Sequence, residues 1–260
     1  MKKMPAAFIT DFGPMPAVET DDYTQALGRL GQSLPRPKAV LVMSGHWEAD
    51  GPLGLTASAK PETIYDYSGF PQEYYKVGYP APGDPALARE AAALLNMAGF
   101  PSRTDPDRGL DHGAWAPMSR VFPKADIPTV QITVPAGEDP KKIMAIGRAL
   151  APLRDKGVLL TGAGTLSHNL RLVHFGGKDD APDAWAREYD SWVTDKLDKG
   201  DVASLQRTMT LAPSAKLAAP TPEHLDPFFF VLGAAEGEPR TDFYHGIKYG
   251  NGLLRAFLLG

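Results

Sequence analysis

The chain has 260 residues, 43% of them hydrophobic and 22% charged, with a formal net charge of −4 and no cysteine. This is the composition of an ordinary globular protein with enough chain for a sizeable core. The acidic balance leaves no basic footprint for nucleic acid, and the missing thiols exclude disulfides, thiolate nucleophiles and cysteine-held metals.

The first apolar run, Ala6–Thr10, reads as a buried strand that stops on Asp11, in Phe8-Ile9-Thr10-Asp11-Phe12-Gly13-Pro14-Met15. Two lysines precede it, but it is too short for a signal core, and no later run approaches membrane-spanning length. A cytoplasmic protein with no membrane partner is the expectation. Asp-Phe-Gly also occurs in protein kinases, yet no glycine-rich loop, lysine strand or His-Arg-Asp loop accompanies it here. Two roles stay open for Asp11. It could accept backbone N–H groups in the Gly13-Pro14 turn, or it could belong to a site shared with distant histidines.

Asp21–Leu30 follows, with Tyr23, Ala26, Leu27 and Leu30 at helical spacing. Ala39–Ser44 is a second strand and runs into Ser44-Gly45-His46-Trp47-Glu48. Pro85–Met97 is helical, with Leu87, Ala91, Leu94 and Leu95 on one face, and Gly109–Trp115 is a turn-rich segment carrying Asp111 and His112. A strand over Thr129–Val134, a helix over Pro140–Leu153, a strand over Val158–Thr161 and a helix over Pro182–Leu197 complete the pattern, each helix opening on proline. His168 follows the Val158–Thr161 strand, in Ser167-His168-Asn169-Leu170, and His224 stands where a helix through Phe228–Ala235 should begin.

Near-continuous apolar strands alternating with amphipathic helices predict an α/β fold, with a mainly parallel central sheet covered by helices on both faces. No linker, low-complexity tract or repeat divides residues 1–260, so a single domain is expected. Ligands of such sheets gather beyond the carboxyl ends of the strands, and three strand ends carry Asp11, His46 and His168. One histidine alone would mean little. A carboxylate and imidazoles at adjacent strand ends are costly to desolvate without a shared purpose. Asp111 could orient His112 or form a turn, and Glu223 could be an acid in a first helical turn. His174 and His245 lack such placement and read as structural. With no His-Glu-x-x-His helix, a metal site would have to be assembled from distant segments.

Several segments resemble, in order, the motifs of DODA-type extradiol ring-opening dioxygenases of the LigB-like class III superfamily. They are Phe8–Met15, Ser44–Glu48, Tyr65–Pro71, Tyr79–Gly83, Gly109–Trp115, Ser167–Leu170 and Pro222–His224. The resemblance implies one non-haem metal, iron(II) in active dioxygenases and often zinc in purified members, with a catechol-type substrate and O2. By motif, His46, His168 and His224 match metal-site histidines, and His112 matches one that faces the cavity without binding the metal. Asp11 is a departure, standing where the family usually has histidine. Phe12 replaces a glycine of the pattern, which narrows the pocket, and Ala219 stands where a histidine often precedes the proline.

Two histidines and one carboxylate are a common non-haem iron set, so the expected metal residues are Asp11, His46, His168 and His224. The expected catalytic residues are His168 and His112. His168 is either a fourth ligand or the acid–base group, since imidazole titrates near neutrality, and His112 would hydrogen-bond substrate or dioxygen. Tyr65, Tyr67, Phe70, Tyr74, Tyr75 and Tyr79 suit an aromatic wall. Two rival readings are a metal-binding protein of this fold without oxygenase activity, and a zinc hydrolase using metal-bound water.

Overall fold

Eight strands form one sheet in the computed structural model, which describes residues 3–174 and 181–260. They are β1 (Ala6–Thr10), β2 (Ala39–Ala49), β3 (Leu53–Thr56), β4 (Ser102–Asp105), β5 (Thr129–Pro135), β6 (Val158–Gly164), β7 (Arg240–Lys248) and β8 (Gly252–Leu259). Their order is β4-β3-β5-β2-β6-β1-β8-β7. The central quartet β5-β2-β6-β1 is parallel throughout, while β8 joins β1 antiparallel and β7 pairs antiparallel with β8.

The parallel strands are buried on both faces because both sides of their pleat are apolar. In β1, Ala6 and Phe8 enter one core while Ala7 and Ile9 enter the other; in β2, Leu41 and Met43 oppose Val40 and Val42. The longer helices are α1 (Asp22–Ser33), α2 (Pro85–Met97), α3 (His112–Val121), α4 (Pro140–Leu150), α5 (Ala184–Asp198) and α6 (Asp226–Ala234). One face is covered by α1 and α3 through Tyr23, Leu27, Leu30, Trp115 and Met118. The other is covered by α2, α4, α5 and α6 through Leu95, Ile143, Tyr189 and Phe229. Each fully buried side chain of this size contributes about 2 kcal/mol of transfer free energy. Acidic residues start the helices. Asp21 and Thr24 form a reciprocal capping box on α1, and Asp84 and Asp139 cap α2 and α4 ahead of proline.

Three differences from the sequence pattern have clear causes. The predicted Pro140–Leu153 helix stops at Leu150, because Pro152 starts a separate turn and disfavours a helical conformation just before it. The Val158–Thr161 strand continues to Gly164, where glycines let the α6 segment approach: a Cβ on Gly162 would meet Pro227 O at 2.1 Å, and one on Gly164 would meet His224 O at 2.3 Å. The turn-rich Gly109–Trp115 segment contains the first turn of α3.

Asp111 caps α3 by accepting from Ala114 N at 3.2 Å, and it is fully buried. Its carboxylate also accepts from Ser44 Oγ at 2.8 Å, from Arg108 Nη2 at 3.2 Å and from Gln131 Nε2. The expectation that Asp111 orients His112 is therefore corrected: its bonds tie α3 to β2 and β5 instead. Asp111→Ala should destabilise the protein by about 3 kcal/mol, since it removes a cap and strands two buried donors. Chemical denaturation of the two proteins, read by far-UV circular dichroism, measures the difference.

Candidate metal centre

The carboxyl ends of β1, β2 and β6 converge with the segment that enters α6. Asp11 N donates to Gly164 O at 3.2 Å, Thr165 N to His224 O at 2.8 Å, and His168 N to Ala218 O at 2.8 Å. These main-chain bonds fix the backbones that carry Asp11, His168 and His224. His46 lies where the β2–β5 register is broken, between Met43 and Glu48. Such irregularities re-aim a side chain at the end of a strand. Ser44 Oγ, itself bonded to Asp111, accepts from His46 N at 3.2 Å and so holds the turn in place.

Asp11 Oδ2 lies 3.3 Å from His46 Nε2, and His46 Nε2 lies 3.3 Å from His224 Nε2. One donor atom from each of Asp11, His46 and His224 falls within 4.8 Å of the others. Two further triads share residues with it, His46–Asp66–His112 and His168–Glu223–His224. Hydrogen bonding separates the three. Asp66 Oδ1 already receives His112 N at 3.0 Å and contacts His112 Nδ1 at 2.8 Å. Glu223 Oε1 receives Thr221 Oγ1 at 2.8 Å and contacts His224 Nδ1 at 3.2 Å. Asp11 is only 3% exposed, yet neither of its carboxylate oxygens has a hydrogen-bond partner. The neighbouring turn is closed by its main chain, Gly13 N donating to Asp11 O at 2.7 Å. The turn therefore makes no use of the carboxylate, which leaves it available to a cation.

The outer partners set ring orientation. A carboxylate at His224 Nδ1 draws the proton there and turns Nε2 inward as a lone-pair donor. Asp66 does the same for His112, the role the sequence left open to Asp111. His112 packs on His46 with ring centroids 3.9 Å apart, and His168 stacks on His224 at 3.5 Å with planes 10° apart. His168 thus groups with Glu223 and His224 and stands outside the Asp11 triad. Gly113 forms the floor, where a Cβ would meet Ser44 Oγ at 2.4 Å, His46 Cδ2 at 2.7 Å and Asp11 Oδ2 at 2.8 Å.

Burial opposes ionisation of Asp11, but the imidazole of His46, then those of His224 and His112, outweigh it and hold the carboxyl below its ordinary range. Burial likewise opposes a charge on His46, and is outweighed by Asp11 with help from Asp111 and Asp66, which raise it to about 9. His168 goes the other way, down to about 4, through burial and then the neighbouring His224. It is therefore neutral at pH 7.

The site opens into a cavity of about 760 Å³ lined by Asp11, His46, Asp66, His112, His168 and His224 on its polar side. Of the aromatic residues expected in the wall, Tyr67 and Phe70 line it, while Tyr74 and Tyr79 are buried in the core on the α1–α3 face. His174 and His245 lie elsewhere: His245 Nε2 contacts Asp190 Oδ2 at 2.7 Å, and His174 N donates to Tyr249 O at 2.9 Å. Among the described residues, no helix is long and apolar enough to cross a membrane.

A buried carboxylate and two imidazoles at the strand ends of an α/β sheet, beside a cavity, match in composition the sites that hold one metal in non-haem enzymes. Comparison with known proteins makes the class specific. The profile of the catalytic LigB subunit of aromatic ring-opening dioxygenases matches residues 5–252. The chain is 40% identical to the 4,5-DOPA dioxygenase extradiol of Escherichia coli (strain K12), covering 99% of this chain and 95% of that protein. It is 41% identical to the 4,5-DOPA dioxygenase extradiol of Beta vulgaris, covering 81% and 78% respectively. The crystal structure of an uncharacterized protein from Escherichia coli K12 superposes with a TM-score of 0.82 at 36% identity, covering 99% of this chain and all of that one. The chain therefore belongs to the LigB family, and it is a metal-dependent, extradiol ring-cleaving dioxygenase acting on an aromatic substrate with O2.

The raised His46 value gives a signed prediction for the metal-free protein. The stability contributed by the His46–Asp11 pair should be fully present below about pH 6.5, the unfolded value, and lost as pH rises through about 9. A metal ion must displace the same proton, so zinc affinity should rise about tenfold per pH unit from pH 6.5 to 8.5. Competition with a chromophoric chelator measures it, and a flat profile would contradict the assignment.

Proposed function

We propose that the metal is iron(II), held by Asp11, His46 and His224, and that the substrate is a substituted catechol. The observation that carries this reading is the buried Asp11 carboxylate, whose two oxygens lack hydrogen-bond partners beside two inward-facing imidazoles. The donor set, two nitrogens and one carboxylate, matches the composition common to non-haem iron oxygenases. Zinc would fit the same donors but has no redox chemistry. The printed names of the relatives, 4,5-DOPA dioxygenase extradiol, support a catechol nucleus.

Bound there, iron(II) would supply the centre at which catechol and O2 exchange electrons. The protein's own residues handle protons and position. His168, neutral at pH 7 and stacked on His224, takes the second phenolic proton and returns it as the ring opens. His112, with Nδ1 committed to Asp66, offers Nε2 to a substrate hydroxyl and fixes the ring in the cavity. The apolar side chains that share the cavity lining, Phe12, Met15 and Phe70 among them, lower the polarity around these groups, which strengthens each interaction.

Anaerobic loading with iron(II), followed by oxygen-uptake assays on a catechol panel, tests the proposal. Iron-loaded protein should consume O2 with formation of a coloured ring-opened product, and zinc-loaded protein should not. Absence of uptake with iron on every catechol would overturn it. Asp11→Asn should lower iron retention at least tenfold with unchanged circular dichroism, because the neutral amide leaves the ion's charge uncompensated. Full occupancy in that variant would remove Asp11 from the ligand set.

A further inference from the structure

The cavity is divided by chemistry. Its lining combines the carboxylates and imidazoles already described with an apolar set, Phe12, Pro14, Met15, Phe70 and Leu170. Among the described residues that line it, none is lysine or arginine. Such a space suits a molecule with two hydroxyls at one end and an uncharged, apolar substituent at the other.

Phe12 and Met15 are shared with the lining of a second cavity, together with Glu19, Tyr23, Tyr249 and Leu254. It measures about 10 Å³, no more than the space of one water. The two residues are therefore a partition between the substrate space and a small hollow near α1. Phe12 is held firmly: 6% exposed, it stacks on Tyr249 with centroids 5.4 Å apart and planes 6° apart, and its ring edge fills the place a Cβ on Gly252 would take, 2.7 Å from Cε2. Met15 Sδ lies 3.1 Å from where a Cβ on Gly13 would stand, so the turn after Asp11 packs on the same partition.

The geometry points to Phe12 and Met15 as the residues that set the size of ring substituent this enzyme accepts, with compact apolar groups preferred. This rests on the catechol reading of the site. A stacked, close-packed ring cannot swing aside without vacating its contacts, so a bulky substituent meets a fixed wall. Removing the Phe12 phenyl would join the two hollows and enlarge the substrate space.

The test compares 4-methylcatechol with 4-tert-butylcatechol on iron-loaded wild-type, Phe12→Ala and Met15→Ala proteins, using kcat/KM and anaerobic dissociation constants. Wild type should favour the methyl compound at least tenfold in both measures. Both variants should cut that preference at least fivefold. If Phe12→Ala does not retain iron, Met15→Ala and Phe12→Leu carry the comparison. An unchanged preference in the iron-retaining variants, or a wild type indifferent to the two compounds, would overturn the partition while leaving the dioxygenase reading intact. A wild type that neither binds nor oxidises either catechol would fail both.

Discussion

A carboxylate buried without a hydrogen-bond partner is among the least tolerable groups in a protein interior, with an effective penalty of several kcal/mol unless a cation stands beside it. Asp11 is in that position, and much of the surrounding structure serves to hold it there. The parallel quartet brings the strand ends together, the broken register of β2 turns His46 toward it, and the backbone of the segment before α6 is pinned to β6 so that His224 closes the third side. Gly113 is required because any Cβ there would strike Ser44, His46 and Asp11 at once. In the metal-free protein the cation is the His46 imidazolium, and on the proposed reading a metal ion takes over that role.

Each imidazole around this point has a carboxylate beside it. His112 has Asp66, His224 has Glu223, and His46 has Asp11. Behind them Asp111 gathers Ser44, Arg108 and Gln131, so the site's backing is neutralised and fully bonded. Asp226, at the start of α6, would add one negative charge too many. Burial, then repulsion from Glu223 and Glu48, pushes its carboxyl up to about 8, so it stays protonated at neutral pH. The acids around the site thus divide into those kept ionised by imidazoles and one kept neutral by its neighbours.

The parts legible in the sequence were those with strong local signatures. The four strands of the parallel quartet are built on mainly apolar, β-branched runs, and Asp11, His46 and His168 could be named as the residues that follow those runs without coordinates. β7 and β8 were not legible. β7 alternates charged and half-buried residues, and β8 carries Arg255, whose burial makes sense only with Asp190 2.6 Å away from a remote helix. Asp66 was passed over because it sits among tyrosines with no periodicity. Its function depends on the bridge between Thr63 and Leu110, which carries it to the start of α3. Asp111 was noticed, with orientation of His112 or a turn left open as its roles: an aspartate three residues before Ala114, ahead of an apolar stretch, is a helix cap, and reading it so would have freed His112 for another partner.

The position of β1 in the sheet has a consequence for how the enzyme matures. The strand that leads into Asp11 is made before the other seven, yet its neighbours are β6, past the middle of the chain, and β8, near residue 255. Until synthesis reaches β8, one edge of β1 is an open ladder of unpaired amides, the kind of surface that invites intermolecular pairing. β1 therefore has no partner strand until β6 has been made, past the middle of the chain. Asp11, His46 and His224 can therefore meet only after β6 and the segment that enters α6 have been made, late in the synthesis of the chain.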